Sequence, residues 1–168
     1  KTPVREALRQ LVHEGLVDVL PRKGYVVRPV GLVDIVEVLA LRRIVEPTLA
    51  AAAAGRRTTA DVEVLRDLVD REAHMRPSLD ELRTSLDVHA RVAAIAGNAR
   101  AAALVDSLLD ETARIPWLSP WFSPGSSAGE HGLIVEAIAA CDAEAAAQSM
   151  ATHLEETQTR TLAALGAR

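Results

Sequence analysis

The chain has 168 residues and a net charge of −4, enough for one ordinary domain and part of a second. Its single cysteine, Cys141, excludes an internal disulfide and fits a reducing cytoplasm, and no apolar run approaches the roughly 20 residues of a membrane span. Apolar residues make up 49% and aromatic ones only 2%, a balance that suits helices packed on helices.

The charge is unevenly shared. Residues 1–30 hold six Lys/Arg against three Asp/Glu, or +3, whereas the remaining thirteen and twenty give −7. A basic head on an acidic body directs nucleic acid to the head alone.

The head opens on a helix. Thr2 is a good N-cap, because its hydroxyl accepts from a free backbone N–H of the first turn, and Pro3 follows where a missing N–H costs nothing. Val4, Ala7, Leu8, Leu11 and Val12 fall on one stripe, and Arg5, Glu6, Arg9, Gln10 and His13 on the other. Gly15 is placed to end the helix in a left-handed cap. Residues 16–20 and 25–28 are short β-type runs, and Pro21-Arg22-Lys23-Gly24 between them is turn chemistry with two cations at its tip. A helix with a basic face followed at once by such a hairpin reads as the second half of a winged helix-turn-helix.

Thr2-Pro3-Val4-Arg5-Glu6-Ala7-Leu8-Arg9 with Leu11, then Glu14-Gly15-Leu16-Val17 and the Pro21-Arg22-Lys23-Gly24 wing, resembles the recognition helix and wing of GntR-family bacterial transcription regulators. The resemblance implies that Lys1, Thr2 and Arg5 read bases and phosphates, although the family more often has Arg at the first of these. It assigns Arg22 and Lys23 to phosphate contacts, which position without specifying sequence. It also implies helices ahead of Thr2 to cover the apolar stripe. Residues 1–30 are therefore expected to be the C-terminal part of the DNA-binding domain.

After Pro29 and a short joint at Val30-Gly31-Leu32 the pattern turns helical. Residues 34–55 form a helix that buries Ile35, Val38, Leu39, Val45 and Leu49 and is kinked at Pro47. Thr58 with Asp61 opens a second helix carrying Val62, Leu65, Leu68 and Val69. Ser78-Leu79-Asp80-Glu81 is a capping box for a third, through Leu82, Leu86, His89 and Val92 to a stop at Gly97. Asn98 caps a fourth, with Leu104, Val105, Leu108 and Leu109 inward. Residues 116–125 cannot continue it, and they hold both Trp and the only Phe. That stretch reads as a packed loop, with a lid over a ligand pocket as the other reading. Ser127-Ala128-Gly129-Glu130 is a second capping box, for a helix with Leu133, Ile134, Ala137 and Ile138, and Asp142 caps a last one through Ala146, Met150 and Leu154. Residues 31–168 are thus an all-α body of about six helices.

The body resembles the FCD effector-binding domain of the FadR subfamily. The likeness rests on Leu41-Arg42-Arg43-Ile44-Val45-Glu46-Pro47, on His89 with Ala96-Gly97-Asn98, and on Glu130-His131, Asp142-Ala143-Glu144-Ala145 and His153-Leu154. His89, His131 and His153 have no short-range metal signature of their own. The resemblance, however, places them where the family's three metal-binding histidines belong. It thereby implies a divalent metal, zinc or nickel, with positions left for water or a ligand's carboxylate. The family's aspartate, one turn before the first histidine, is replaced by Ser85. Asp87 is no substitute, because two residues rotate the side chain by about 200°. Arg42 either clamps a carboxylate or pairs with Glu46 one turn on.

The expectation is a DNA-binding transcription regulator, not an enzyme, that works in the cytoplasm as a homodimer. It binds operator DNA through its head and senses a small carboxylic acid at the metal. A three-histidine metalloenzyme is the alternative from another class, but it lacks a general base among these residues. A metal-free sensor whose histidines bind ligand directly is kept open by Ser85.

Overall fold

The computed structural model describes residues 2–115 and 127–166. Lys1 and the aromatic stretch from residue 116 lie outside the described residues. The chain divides into two compact units, Lys1–Gly31 and Leu32–Arg168.

In the first unit, α1 spans Thr2–His13 and is followed by β1 (Val17–Leu20) and β2 (Gly24–Val27). The helix ends as its sequence dictates. Gly15 takes φ +72°, its N–H donates to the Val12 carbonyl at 3.1 Å, and the Leu16 N–H donates to that of Leu11 at 2.9 Å. The strands pair antiparallel from Val17↔Val27 to Leu20↔Gly24. Arg22 occupies the left-handed region of the turn at φ +63°, and both Arg22 and Lys23 are exposed at its tip. No residue of α1 is buried, and Val4 of the apolar stripe is 63% exposed. The stripe is therefore not fully covered by the described residues.

The second unit contains α2 (Leu32–Arg56), α3 (Thr59–His74), α4 (Leu79–Ile95), α5 (Ala99–Thr112), α6 (Ala128–Ala139) and α7 (Ala143–Gly166). This is the six-helix body expected from the periodicity. Helix α2 is its axis, packing on α4, α5, α6 and α7, while α3 packs on α4 and α6. The reason lies in its sequence. Ala50, Ala53 and Ala54 form a small-residue face that lets Leu65, Val88, Ile134, Met150 and Leu154 of other helices close in. A second cluster, Leu49, Leu82, Leu86, Ala93, Val105 and Leu109, seats α5. Helix α2 runs unbroken through Pro47.

The caps divide into those that hold and those whose side chains are used elsewhere. Thr58 and Asp61 form the full reciprocal box, at 3.1 and 2.9 Å, and Asp142 accepts from the Ala145 N–H at 2.9 Å. Ser78 accepts from the Glu81 N–H at 3.1 Å, but the Glu81 side chain does not reach back; it is buried. Ser127 makes no cap bond at all, and its hydroxyl accepts from Arg160 at 3.3 Å instead. Two apolar positions also differ from expectation. Leu104 is 44% and Leu133 67% exposed, each at the edge of a stripe whose centre is occupied by Val105 and Leu108 or by Ile134 and Ile138.

Cys141 ends α6 in the same way that Gly15 ends α1. Its N–H donates to the Ile138 carbonyl and that of Asp142 to Ala137, both at 3.0 Å, with Cys141 at φ +61°. The left-handed region costs a side chain about 1–2 kcal/mol, and the extra backbone entropy of glycine offsets roughly half of that. Cys141→Gly should therefore stabilise the chain by about 0.5–1 kcal/mol in urea unfolding. A loss of stability would contradict this account of the cap.

Candidate metal centre and ligand cavity

Five helices meet at the functional site. Helix α4 carries His89, α6 carries His131, and α7 carries His153; all three are buried. Their Nε2 atoms form a triangle with every side 3.2 Å. Each opposite ring nitrogen meets a carboxylate. His89 Nδ1 lies 2.5 Å from Glu46 on α2, His131 Nδ1 lies 2.6 Å from Glu72 on α3, and His153 Nδ1 lies 2.6 Å from Glu130 on α6.

Electrostatics fixes the protons. Burial would raise Glu46, but the Arg42 guanidinium and His89 outweigh it and hold the carboxyl far below the usual range. Burial would likewise raise Glu130, but the hydrogen bonds and charges of His153 and Arg160 outweigh it and take the carboxyl down to about 2. Burial pushes His89 down to about 3 against the pull of Glu46, and lowers His153 against that of Glu130. Near neutrality His89 and His153 are therefore neutral, and Glu46 and Glu130 ionised. An ionised carboxylate can only accept, so Nδ1 of His89 and of His153 is the N–H donor and the Nε2 of each bears a lone pair. The Nε2 of His131 completes the triangle that these two face.

That arrangement fits a cation. With metal–nitrogen bonds of about 2.0–2.1 Å, a 3.2 Å triangle corresponds to an angle of about 100° between ligands, close to tetrahedral or facial octahedral coordination. The carboxylate behind each imidazole is the partner that metal-binding histidines ordinarily have. The donor set is all nitrogen, which suits zinc, nickel and related ions.

Beside the histidines lies a cavity of about 60 Å³, bordered by Arg42, Glu81, Ser85, His89, Thr112 and Arg160 among others. Ser85 is half-buried on its wall, one turn before His89, whereas Asp87 is exposed on another face. Arg42 makes the ion pair with Glu46 and still has a nitrogen to spare. Its Nε donates to Glu46 at 2.5 Å and its Nη1 to Thr112 at 3.4 Å, while Nη2, buried, has no partner among the described residues. The wing residues Arg22 and Lys23, and Thr2 and Arg5 on α1, belong to the other unit and are exposed.

Glu46, Glu72, Glu81, Glu130 and Arg160 go beyond the candidate site residues read from the sequence. The signal was there for three. Glu46 sits on the stripe Leu39, Arg42, Glu46, Leu49, and Glu72 on Leu65, Leu68, Glu72, while Glu81 adjoins Leu82. An acidic residue at an apolar position needs a buried partner. Glu130 and Glu81 were both assigned to capping, which hid them.

Residues 37–156 match the FCD domain family. Three solved structures illustrate the fold. Escherichia coli McbR/YncC is 20% identical with a TM-score of 0.84, over 96% of this chain and 84% of that one. A protein of Rhodococcus sp. RHA1 assigned to the GntR transcriptional regulators is 26% identical at 0.73, over 98% and 80%. A GntR family member of Pseudomonas syringae pv. tomato str. DC3000 is 24% identical at 0.72, over 98% and 70%. No curated protein matches by sequence. The all-α bundle with a buried histidine triad is thus that of an effector-domain protein. The chain belongs to the FCD domain family, of the GntR/FadR type.

Glu81 provides a measurable consequence. Burial, reinforced by the charge of Glu72, pushes its carboxyl up from 4.5 to about 7. Between those values the folded chain holds a proton that the unfolded chain has released, so rising pH costs stability. Glu81→Gln should match the parent near pH 4 and exceed it at pH 8 by on the order of 2 kcal/mol, in denaturant titrations with chelator present. An advantage that does not grow with pH would contradict the buried, raised carboxyl.

Proposed function

We propose that the chain is the sensing body and DNA-contacting wing of a metabolite-responsive transcription regulator. In this reading it acts in the cytoplasm as a homodimer on operator DNA. The observation that carries the sensing half is the convergence of three histidine Nε2 atoms beside a cavity with a guanidinium nitrogen unpaired among the described residues. His89, His131 and His153 hold a divalent metal, zinc or nickel, which supplies a positive anchor for a carboxylate. The chain's own groups do the rest. Glu46, Glu72 and Glu130 orient the imidazoles, and Arg42 Nη2 takes the carboxylate of a small organic acid. Ser85 offers no negative charge where an aspartate would, which leaves the centre more cationic and its metal affinity weaker.

The DNA half rests on the α1–hairpin unit. Lys1, Thr2 and Arg5 are the base and phosphate contacts, and Arg22 and Lys23, exposed at the wing tip, hold phosphates. Ligand binding shifts the population of arrangements open to the dimer's paired heads and so alters half-site fit. The Rhodococcus and Pseudomonas relatives, both named as GntR transcriptional regulators, support this half.

Three measurements test the reading. Protein purified without chelator should carry metal stoichiometrically by elemental analysis. His131→Ala should lose it, Glu72→Gln should bind it about 10–100-fold more weakly, and Ser85→Asp more tightly. No metal, with zinc or nickel leaving the melting temperature unmoved, would convert the site into one whose histidines meet the ligand directly. A thermal-shift panel of small carboxylic acids should give hits, with stabilisation of about 2.7 kcal/mol at one hundred times Kd, that shrink in Arg42→Ala and with chelator. In the whole regulator Arg5→Ala should weaken operator binding by roughly 1–3 kcal/mol and relax base preference. Unchanged operator affinity and preference would remove Arg5 from the interface.

A further inference from the structure

The cavity carries more recognition chemistry than a carboxylate at the histidines uses. Arg42 Nη2 is one unpartnered buried atom; Glu81 Oε2 is the other, and both residues are 1% exposed. Hydroxyls of Ser85, Thr112, Thr157 and Thr161 line the same wall. Arg42 alone would take any small acid. Glu81 discriminates. A buried carboxyl with no donor or acceptor from the chain gains nothing from an alkyl group and repels a second carboxylate, whereas a hydroxyl satisfies it. Burial and the neighbouring Glu72 push Glu81 up to about 7, so near neutrality it can donate as well as accept.

Position separates this group from the metal centre. Glu81 precedes His89 by eight residues on α4, about two helical turns, with Ser85 midway. The part of a ligand that meets Glu81 is therefore not the part held at the histidines. A cavity of about 60 Å³ has room for roughly four waters, and hence for a short molecule only.

Resting on the reading above that an acid occupies this cavity, we propose that Glu81 is its specificity residue. Its Oε2 binds a hydroxyl at the end of the ligand remote from the histidines, and the ligand class is a short-chain acid hydroxylated beyond the α-carbon. Hydroxyl-lined walls then serve the same chain of oxygens, and Arg42 fixes the single carboxylate. An acid lacking the distal hydroxyl leaves Glu81 unpaired, which is the situation in which polar sites discriminate most strongly.

The test is calorimetric titration of the zinc-loaded full chain with 2-hydroxybutyrate and 2,3,4-trihydroxybutyrate, which share carbon chain, carboxylate and α-hydroxyl. The trihydroxy acid should bind at least tenfold more tightly. Glu81→Leu should cut that ratio to under twofold. Glu81→Gln, which keeps the shape and both hydrogen-bonding roles, should keep the ratio. Should Glu81→Leu fail to fold, Glu81→Ala replaces it. The proposal is overturned by equal binding of the two acids, by a ratio that survives the apolar variant, or by its loss in both variants. If neither acid binds, the acid-sensing reading itself fails and takes this one with it. If both bind without preference, only the role of Glu81 falls.

Discussion

The helical body depends on three imidazole–carboxylate hydrogen bonds, two buried and one half-buried. Each joins different helices: Glu46 of α2 to His89 of α4, Glu72 of α3 to His131 of α6, and Glu130 of α6 to His153 of α7. A buried polar group costs several kcal/mol unless it is paired, so these bonds are tolerable only with all five helices in register. Only α5 has no part in them, and it reaches the site through Thr112. The apolar clusters supply the driving force for packing; the polar pairs select this packing over slipped alternatives.

The pairs are not equivalent in charge. Glu46 is also held by Arg42, and Glu130 by Arg160. Glu72, wholly buried, is paired through its carboxylate with His131 alone among the described residues, and its second oxygen has no partner. The carboxylate behind His131 is thus the one of the three that no guanidinium shares.

Much of this was legible in the sequence because it depends on local rules. Gly15 closing α1, Thr58 with Asp61, Asn98 and Asp142 all act within four residues, and a reader of the chain can find them. The apolar stripe of α2 and the ends of the other helices follow from the 3.6-residue period. The histidines were found by resemblance and not by spacing, since 42 and 22 residues separate them. What failed was choosing between two uses of one residue. Glu81 and Glu130 stand three after a serine, which is cap chemistry, yet Glu130 is taken by His153 and Arg160 and Glu81 is buried at the cavity with Oε2 unpartnered among the described residues. Leu104 and Leu133 failed for a simpler reason, since a stripe shows which residues share a face and not where the cover stops.

The sequence separations of the three histidines have a topological meaning as well. The stretch from His89 to His131 contains α5 and the segment after it, and that from His131 to His153 contains the α6–α7 corner at Cys141. An ion held by all three side chains pins two successive loops, of 42 and 22 residues, at a single point. Because such a site is not preformed in the unfolded chain, an ion bound there would stabilise the folded state by mass action. With an ion bound, the triad would be a reversible staple in a chain whose lone cysteine can form no internal disulfide. The three helices it joins should come apart together rather than one at a time.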